Sequence, residues 1–190
     1  MSIKLHDPST NITDANEALA LLKAGNERFL NNESYRYDYK EMREKTAKSQ
    51  KPFAIIVTCA DSRTCPEIIF DQGIGNIFVC RNAGNVADDD AMGSCEFAHA
   101  ALGAQLVVVL GHTECGAVFN AFDGTSGLPD KLQNVLNGIA KTVGASADKA
   151  GATTDNVKEM VRRFKDNPVF EKAKVVGAEY DIATGVVTWH

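Results

Sequence analysis

The chain has 190 residues, 44% of them hydrophobic and 24% charged, with a net charge of −5. That length suits one domain with a sizeable core, and the acidic balance, with no long basic stretch, excludes the electrostatic footprint of a nucleic-acid binder. No apolar run reaches membrane-spanning length, and MSIKLHDPST lacks the apolar segment of a secretory signal, so a cytoplasmic protein is expected.

The first element is a helix over 13–33, TDANEALALLKAGNERFLNNE, with apolar residues at helical spacing and Thr13 or Asp14 placed to cap it. Residues 34–50 are polar and charged and read as a connector with a short helix. PFAIIVTC (52–59) is a continuous apolar run of the kind that forms a buried parallel strand. A helix over 65–73 follows, with Pro66 in its first turn and Gly73 past its end. NIFVCRN (76–82) reads as a second strand, 88–104 as a capped helix, and QLVVVLGH (105–112) as a third, buried strand. Residues 113–122 begin another helix, and after the loop DGTSGLPD further helices are expected over 130–144 and 153–166. The tail reads as a strand, the turn IATG and a final strand. Strands alternating with helices imply an α/β fold with a largely parallel sheet. No internal repeat or second-domain boundary is visible, so 1–190 reads as one domain with an N-terminal arm of about 50 residues.

In open α/β sheets, functional residues gather beyond the carboxyl ends of the strands. The first strand ends in Cys59, within VTCADSRTCPE, and the third ends in GHTECG with His112 and Cys115 three residues apart. Two thiolates and an imidazole form a set that zinc favours, and three protein ligands leave a fourth position for water. Asp61 and Arg63 lie directly beside the first thiol, where a charged pair has a functional reading over that of a surface ion pair. The odd cysteine count, five, with no export signal argues against a disulfide scaffold. Cys65, Cys80 and Cys95 read as small core hydrophobes. His99 reads as a packed or helix-surface residue, and His6 and His190 as idle termini. GIG at 73–75 precedes a strand, which makes it a poor dinucleotide loop. Two other classes fit parts of the pattern: a non-catalytic zinc protein with Asp61 as fourth ligand, and a thiol redox protein using Cys59 and Cys65. The missing C-x-x-C spacing counts against the latter.

CADSR followed by GHTECG resembles the zinc signature of the β-class carbonic anhydrases. EALALLKAGNERF, QKPFAIIVTCADSRTCPEIIFDQGIGNIFVCRNAGNV, GSCEFAHAALGAQLVVVLGHTECGAV and VVGAEYDIATGVV resemble segments of that family in its order, over nearly the full chain. The resemblance implies one zinc ion per chain on Cys59, His112 and Cys115, with Asp61 and Arg63 as a catalytic dyad. It implies that Gln50 hydrogen-bonds the substrate and that Phe78 and Phe97 line a substrate cleft formed across a dimer interface. It implies a mostly parallel four-stranded central sheet flanked by helices, with an N-terminal helical arm over the partner, in a homodimer or dimer of dimers. The implied activity is that of a lyase, the reversible hydration of carbon dioxide to bicarbonate and a proton by zinc-bound hydroxide. Hydrolysis of carbonyl sulfide or carbon disulfide at the same site is the alternative. Some bacterial members carry a tryptophan three residues before the first zinc cysteine, as part of an inhibitory bicarbonate site. Ile56 stands there in this chain and has no indole N–H to donate.

Overall fold

The computed structural model describes residues 12–190. His6 lies outside the described residues. The chain opens with helix α1 (Ala15–Leu30), and of the two candidate caps it is Asp14 whose side chain accepts from the Asn16 N–H. Helix α2 (Tyr39–Thr46) follows in the connector, and then strand β1 (Ala54–Cys59) enters the centre of the molecule. Helix α3 (Pro66–Ile69) is a single turn, shorter than the sequence suggests, because the chain turns at Asp71 with φ 46°. Strand β2 (Ile77–Asn82), helix α4 (Asp89–Ala100) and strand β3 (Leu106–His112) complete the first half.

Three helices then follow: α5 (Gly116–Asp123), α6 (Asp130–Val143) and α7 (Lys149–Asp166). The last starts earlier than its apolar spacing suggests, because Asp148 caps it by accepting from the Gly151 N–H at 2.7 Å. Strands β4 (Lys174–Tyr180) and β5 (Val187–Trp189) close the chain as a hairpin.

The sheet order is β2-β1-β3-β4-β5. The first four strands are parallel, as expected, and β5 adds an antiparallel fifth at the edge. Every residue of β1 and β3 is buried, which is why both read as unbroken apolar runs rather than alternating ones. The period of two sends Ile55, Val57 and Cys59 to the face covered by α4 to α7, and Ala54 and Ile56 to the face covered by α1 and α3. Full burial of each Ile, Leu or Val side chain contributes about 1.5–3 kcal/mol, so these two strands anchor both cores. Ile56 is itself fully buried in the second cluster.

Two glycines let α7 approach the sheet. A Cβ on Gly111 would stand 2.5 Å from Cγ2 of Val157, and one on Gly177 would stand 2.9 Å from its Cγ1. Val157 therefore sits in a saddle made by β3 and β4, and the β3 side of that saddle, Gly111, directly precedes His112. On the other face, buried Asn26 of α1 donates to the Ile69 and Gly185 carbonyls and accepts from the Val187 N–H. This polar clasp holds the helical arm to the terminal hairpin.

Candidate metal centre

The carboxyl ends of β1 and β3 lie side by side, and this places Cys59 and His112 next to each other. Glu114 adopts a positive φ of 56°, turning the chain so that Cys115 becomes the N-cap of α5 and faces back toward Cys59. The two sulfurs are 3.9 Å apart. One ligand atom from each of Cys59, His112 and Cys115 lies within 4.8 Å of the others, and all three residues are buried. Among the described residues no other group of three or more His, Cys, Asp or Glu side chains converges in this way.

The hydrogen bonds fix how the three side chains present themselves. His112 Nδ1 is 2.8 Å from the Thr113 carbonyl oxygen. A carbonyl can only accept, so Nδ1 carries the proton and Nε2 holds a free lone pair. Nε2 is buried with no hydrogen-bond partner, a costly arrangement unless something else satisfies it. The Cys59 sulfur accepts from the Asp61 and Gly84 N–H groups, each at 3.4 Å. Asn156 on α7 in turn donates to the Gly84 carbonyl at 2.9 Å, steadying that loop.

These contacts set the protonation of the site. The Cys115 hydrogen bond holds the Cys59 thiol down to about 4, against burial and with help from His112 and the two amides. The same bond to Cys59, together with burial, raises Cys115. Burial pulls His112 down, but the neighbouring Cys59 thiolate outweighs it and raises it. Each group would be relieved by a cation. Two sulfurs about 2.3 Å from a tetrahedral ion stand about 3.8 Å apart, close to the observed separation. The donor set therefore fits a metal ion, with the orphaned Nε2 as its nitrogen ligand.

Asp61 and Arg63 sit at the rim. Arg63 Nε donates to Asp61 Oδ1 at 2.9 Å and Nη2 to Oδ2 at 2.7 Å. The Arg63 backbone N–H also donates to Oδ1, at 2.9 Å. This pairing with Arg63 holds the Asp61 carboxyl well below the usual carboxylate range, although partial burial opposes it. Arg63 Nη2 also reaches the Glu114 carbonyl at 3.3 Å, tying together the loops that carry Cys59 and Cys115.

The remaining candidates are more dispersed. Phe78 is half-buried and lines an open cavity of about 410 Å³ between β2 and α4. Phe97 on α4 is 54% exposed. Gln50 is exposed in a separate groove with Thr46, Ser49 and Ile74, before the start of β1. Six residues of β1, at about 3.3 Å each, separate that end from Cys59, so the chain does not bring its own Gln50 to the metal centre. Cys65 bonds to the Ser62 carbonyl and stays out of the cluster. His99 bonds to the Ala104 carbonyl and packs on Phe170, as a packed histidine should.

Sequence reasoning missed Arg81. Its Nε donates to the Cys59 carbonyl at 3.3 Å and its Nη2 to the Asp61 carbonyl at 2.9 Å. Its position at the carboxyl end of β2 was the available signal. Gly84 and Asn156 left no such signal, since their role depends on loop and helix placement.

A family model for carbonic anhydrase matches residues 54–187, a span containing all three clustered residues. The chain belongs to the β-class carbonic anhydrase family. It is 47% identical over 145 residues to carbonic anhydrase 2 of Mycobacterium tuberculosis, a match covering 72% of this chain and 66% of that protein. Carbonic anhydrase of Mycolicibacterium smegmatis is 43% identical over 112 residues, 58% of this chain and 53% of that one. The matches thus span 66% or less of these relatives' own length. Among solved structures, the β-carbonic anhydrase CafA of Aspergillus fumigatus superposes with a TM-score of 0.71 at 25% identity, covering 92% of this chain and 89% of that one. The Coccomyxa β-carbonic anhydrase, solved with acetazolamide, gives 0.69 at 27% identity, covering 79% and 78%. No helix among the described residues is long and apolar enough to cross a membrane.

Proposed function

We propose that this protein catalyses the reversible hydration of carbon dioxide to bicarbonate and a proton, using one zinc ion per chain held by Cys59, His112 and Cys115. The observation that carries this reading is the buried Cys59–His112–Cys115 group, with its orphaned Nε2, beside the Asp61–Arg63 pair. When bound, zinc supplies the acidification of water that neutral hydration requires, moving its pKa from about 15.7 toward about 7. That change is on the order of 12 kcal/mol at about 1.36 per unit, far beyond what one hydrogen bond contributes.

The protein's own residues then do the positioning. Asp61 stays ionised and offers a carboxylate acceptor at the mouth of the cluster, orienting the attacking oxygen through its proton. Arg63 holds that carboxylate with two side-chain bonds and one backbone bond, so its direction is set before substrate arrives. Both Asp61 oxygens are engaged by Arg63, which favours an open centre over a closed, purely structural one. Arg81 fixes the carbonyls on either side of Ala60 and so limits drift of Asp61 relative to Cys59. Phe78 and Phe97 offer apolar surface to a linear, uncharged substrate.

Gln50 enters only from a second copy, donating to a substrate oxygen as negative charge develops, in a homodimer or dimer of dimers. On this reading the chain is one domain whose arm, to about residue 50, reaches over the partner. The test is metal analysis of the purified protein with a stopped-flow carbon dioxide hydration assay, before and after chelation. About one zinc per chain, with activity lost on removal and regained on zinc return, is expected. Full activity in metal-free protein would overturn the reading.

A further inference from the structure

The two backbone hydrogen bonds that Cys59 accepts differ in origin. The Asp61 N–H lies two residues away and comes with the turn after β1, whereas the Gly84 N–H arrives from a loop 25 residues on. The Asn82 side chain shapes that loop by pairing with both the N–H and the carbonyl of Val86, each at 2.7 Å. Its inner side is held by α7. Asn156 donates to the Gly84 carbonyl at 2.9 Å, and Met160, one turn further along the helix, accepts from the Ala87 N–H at 3.1 Å. Helix α6 closes against the same loop. Gly84 has φ 75°, and a Cβ there would stand 2.4 Å from Ile139 Cδ1. Asn156, Met160 and residues 84–87 are all buried within one chain. The amide of Asn156 does not serve stability alone. Its Oδ1 is buried with no hydrogen-bond partner among the described residues, and an amide oxygen left so lowers stability. An apolar residue would avoid that loss, but it would bring no N–H to the Gly84 carbonyl.

We propose that Asn156 and Met160 are positioning residues for the metal centre, clamping the loop from Gly84 to Ala87 so that the Gly84 N–H stays on the Cys59 sulfur. The proposal rests on the reading of Cys59 as a metal ligand. Gly84 is gripped at both ends, its N–H by the Cys59 sulfur and its carbonyl by Asn156. Glycine has no Cβ to restrict its backbone, so without the second grip the residue can turn and the N–H leaves the sulfur. An N–H facing the sulfur stabilises its lone pair, so a thiolate bonded in this way donates less charge to a cation and is held in one direction. The next residue of α7, Val157, meets Gly111 beside His112. One helix thus supports both sides of the cluster, through Asn156 on the Cys59 side and through Val157 on the His112 side.

The test compares wild type with Asn156→Leu, Met160→Leu and Phe164→Leu, each loaded with zinc or, as a spectroscopic probe, with cobalt(II). Competition with a chromophoric chelator reads the zinc affinity, and the sulfur-to-cobalt charge-transfer band reads the bond to sulfur. Asn156→Leu should bind zinc about 10–100-fold more weakly, the scale for losing an outer partner of a metal ligand. Its band should move to longer wavelength, because the freed sulfur donates more charge. Met160→Leu conserves volume but removes the acceptor of the Ala87 N–H, and it should move both readouts in the same direction by less. Phe164, two turns along α7 from Asn156, is fully buried against Phe170. Phe164→Leu should lower the melting temperature yet keep the wild-type affinity and band, which separates lost stability from lost position. Wild-type affinity and band in folded Asn156→Leu, or in folded Met160→Leu if the first variant does not fold, would overturn the proposal. So would a shift in Phe164→Leu as large as that in Asn156→Leu. Wild-type protein that takes up neither zinc nor cobalt would overturn the metal-centre reading itself, and the proposal with it.

Discussion

The saddle beneath α7 makes a quantitative prediction about how the fold supports the metal centre. Gly111→Ala adds a methyl whose carbon meets Val157 Cγ2 at 2.5 Å. Carbon atoms rest at about 3.5–4.0 Å, so the helix or the strand must yield by roughly 1 Å. Val157 is fully buried in the core, so it has little room to swing aside. Overpacking of this kind costs about 1–3 kcal/mol, and at about 2–4 °C per kcal/mol for a chain of this size, the melting temperature should fall by roughly 2–12 °C. The strain falls next to His112, so zinc should dissociate faster on challenge with a chelator. Val157→Ala removes both methyls that meet the glycines. Alone it should destabilise through the cavity it leaves. Combined with Gly111→Ala, it should recover at least half of the loss, an interaction of about 1–2 kcal/mol. Thermal melts of the zinc-loaded wild type, both single variants and the double variant, at one protein concentration, measure this cycle. Strict additivity of the two losses would refute the steric account.

Cys115→Ala should lose zinc and hydration activity together, while Cys65→Ser, outside the cluster, should keep both; metal analysis of the two variants checks the pair. Arg63→Ala should keep its zinc and lose activity by about 10²-fold, the scale of a misplaced reacting group. Without Arg63 the Asp61 carboxyl rises toward about 3.9, still ionised near neutral pH, so recovery of the variant on raising the pH would argue against a positioning role. Two thiolates cancel the dication's formal charge, and the native hydration rate should therefore rise on the alkaline side of neutrality; a flat stopped-flow profile from about pH 6 to about pH 9 would contradict this charge argument. Co-expression of Gln50→Ala with Cys59→Ala chains should restore roughly one quarter of wild-type activity, because half of random dimers carry one intact composite site. No recovery above either parent would place Gln50 elsewhere.

Much of this was legible in the chain itself. The apolar runs that became β1 and β3 could be read because a strand buried on both faces has no polar position to disguise it. Cys59, His112, Cys115, Asp61 and Arg63 could be read because they cluster at the ends of such runs, and short local spacing fixes their direction. Asp14, rather than Thr13, became the cap only when the backbone set which carboxylate or hydroxyl faced the Asn16 amide. The single turn of α3 was hidden because a positive φ at Asp71 is a local choice with little compositional mark. The tertiary structure alone decided which lone pair of His112 is free, since the Thr113 carbonyl fixes it. It also placed Arg81 and Gly84 against the Cys59 loop, Gln50 at the far end of β1, and Cys80 against Cys95. For Arg81, Gly84 and Cys80 the partner is many residues away in sequence. Local pattern records what a residue does to its own segment, whereas contacts between segments are set by how helices and strands pack into a shared volume.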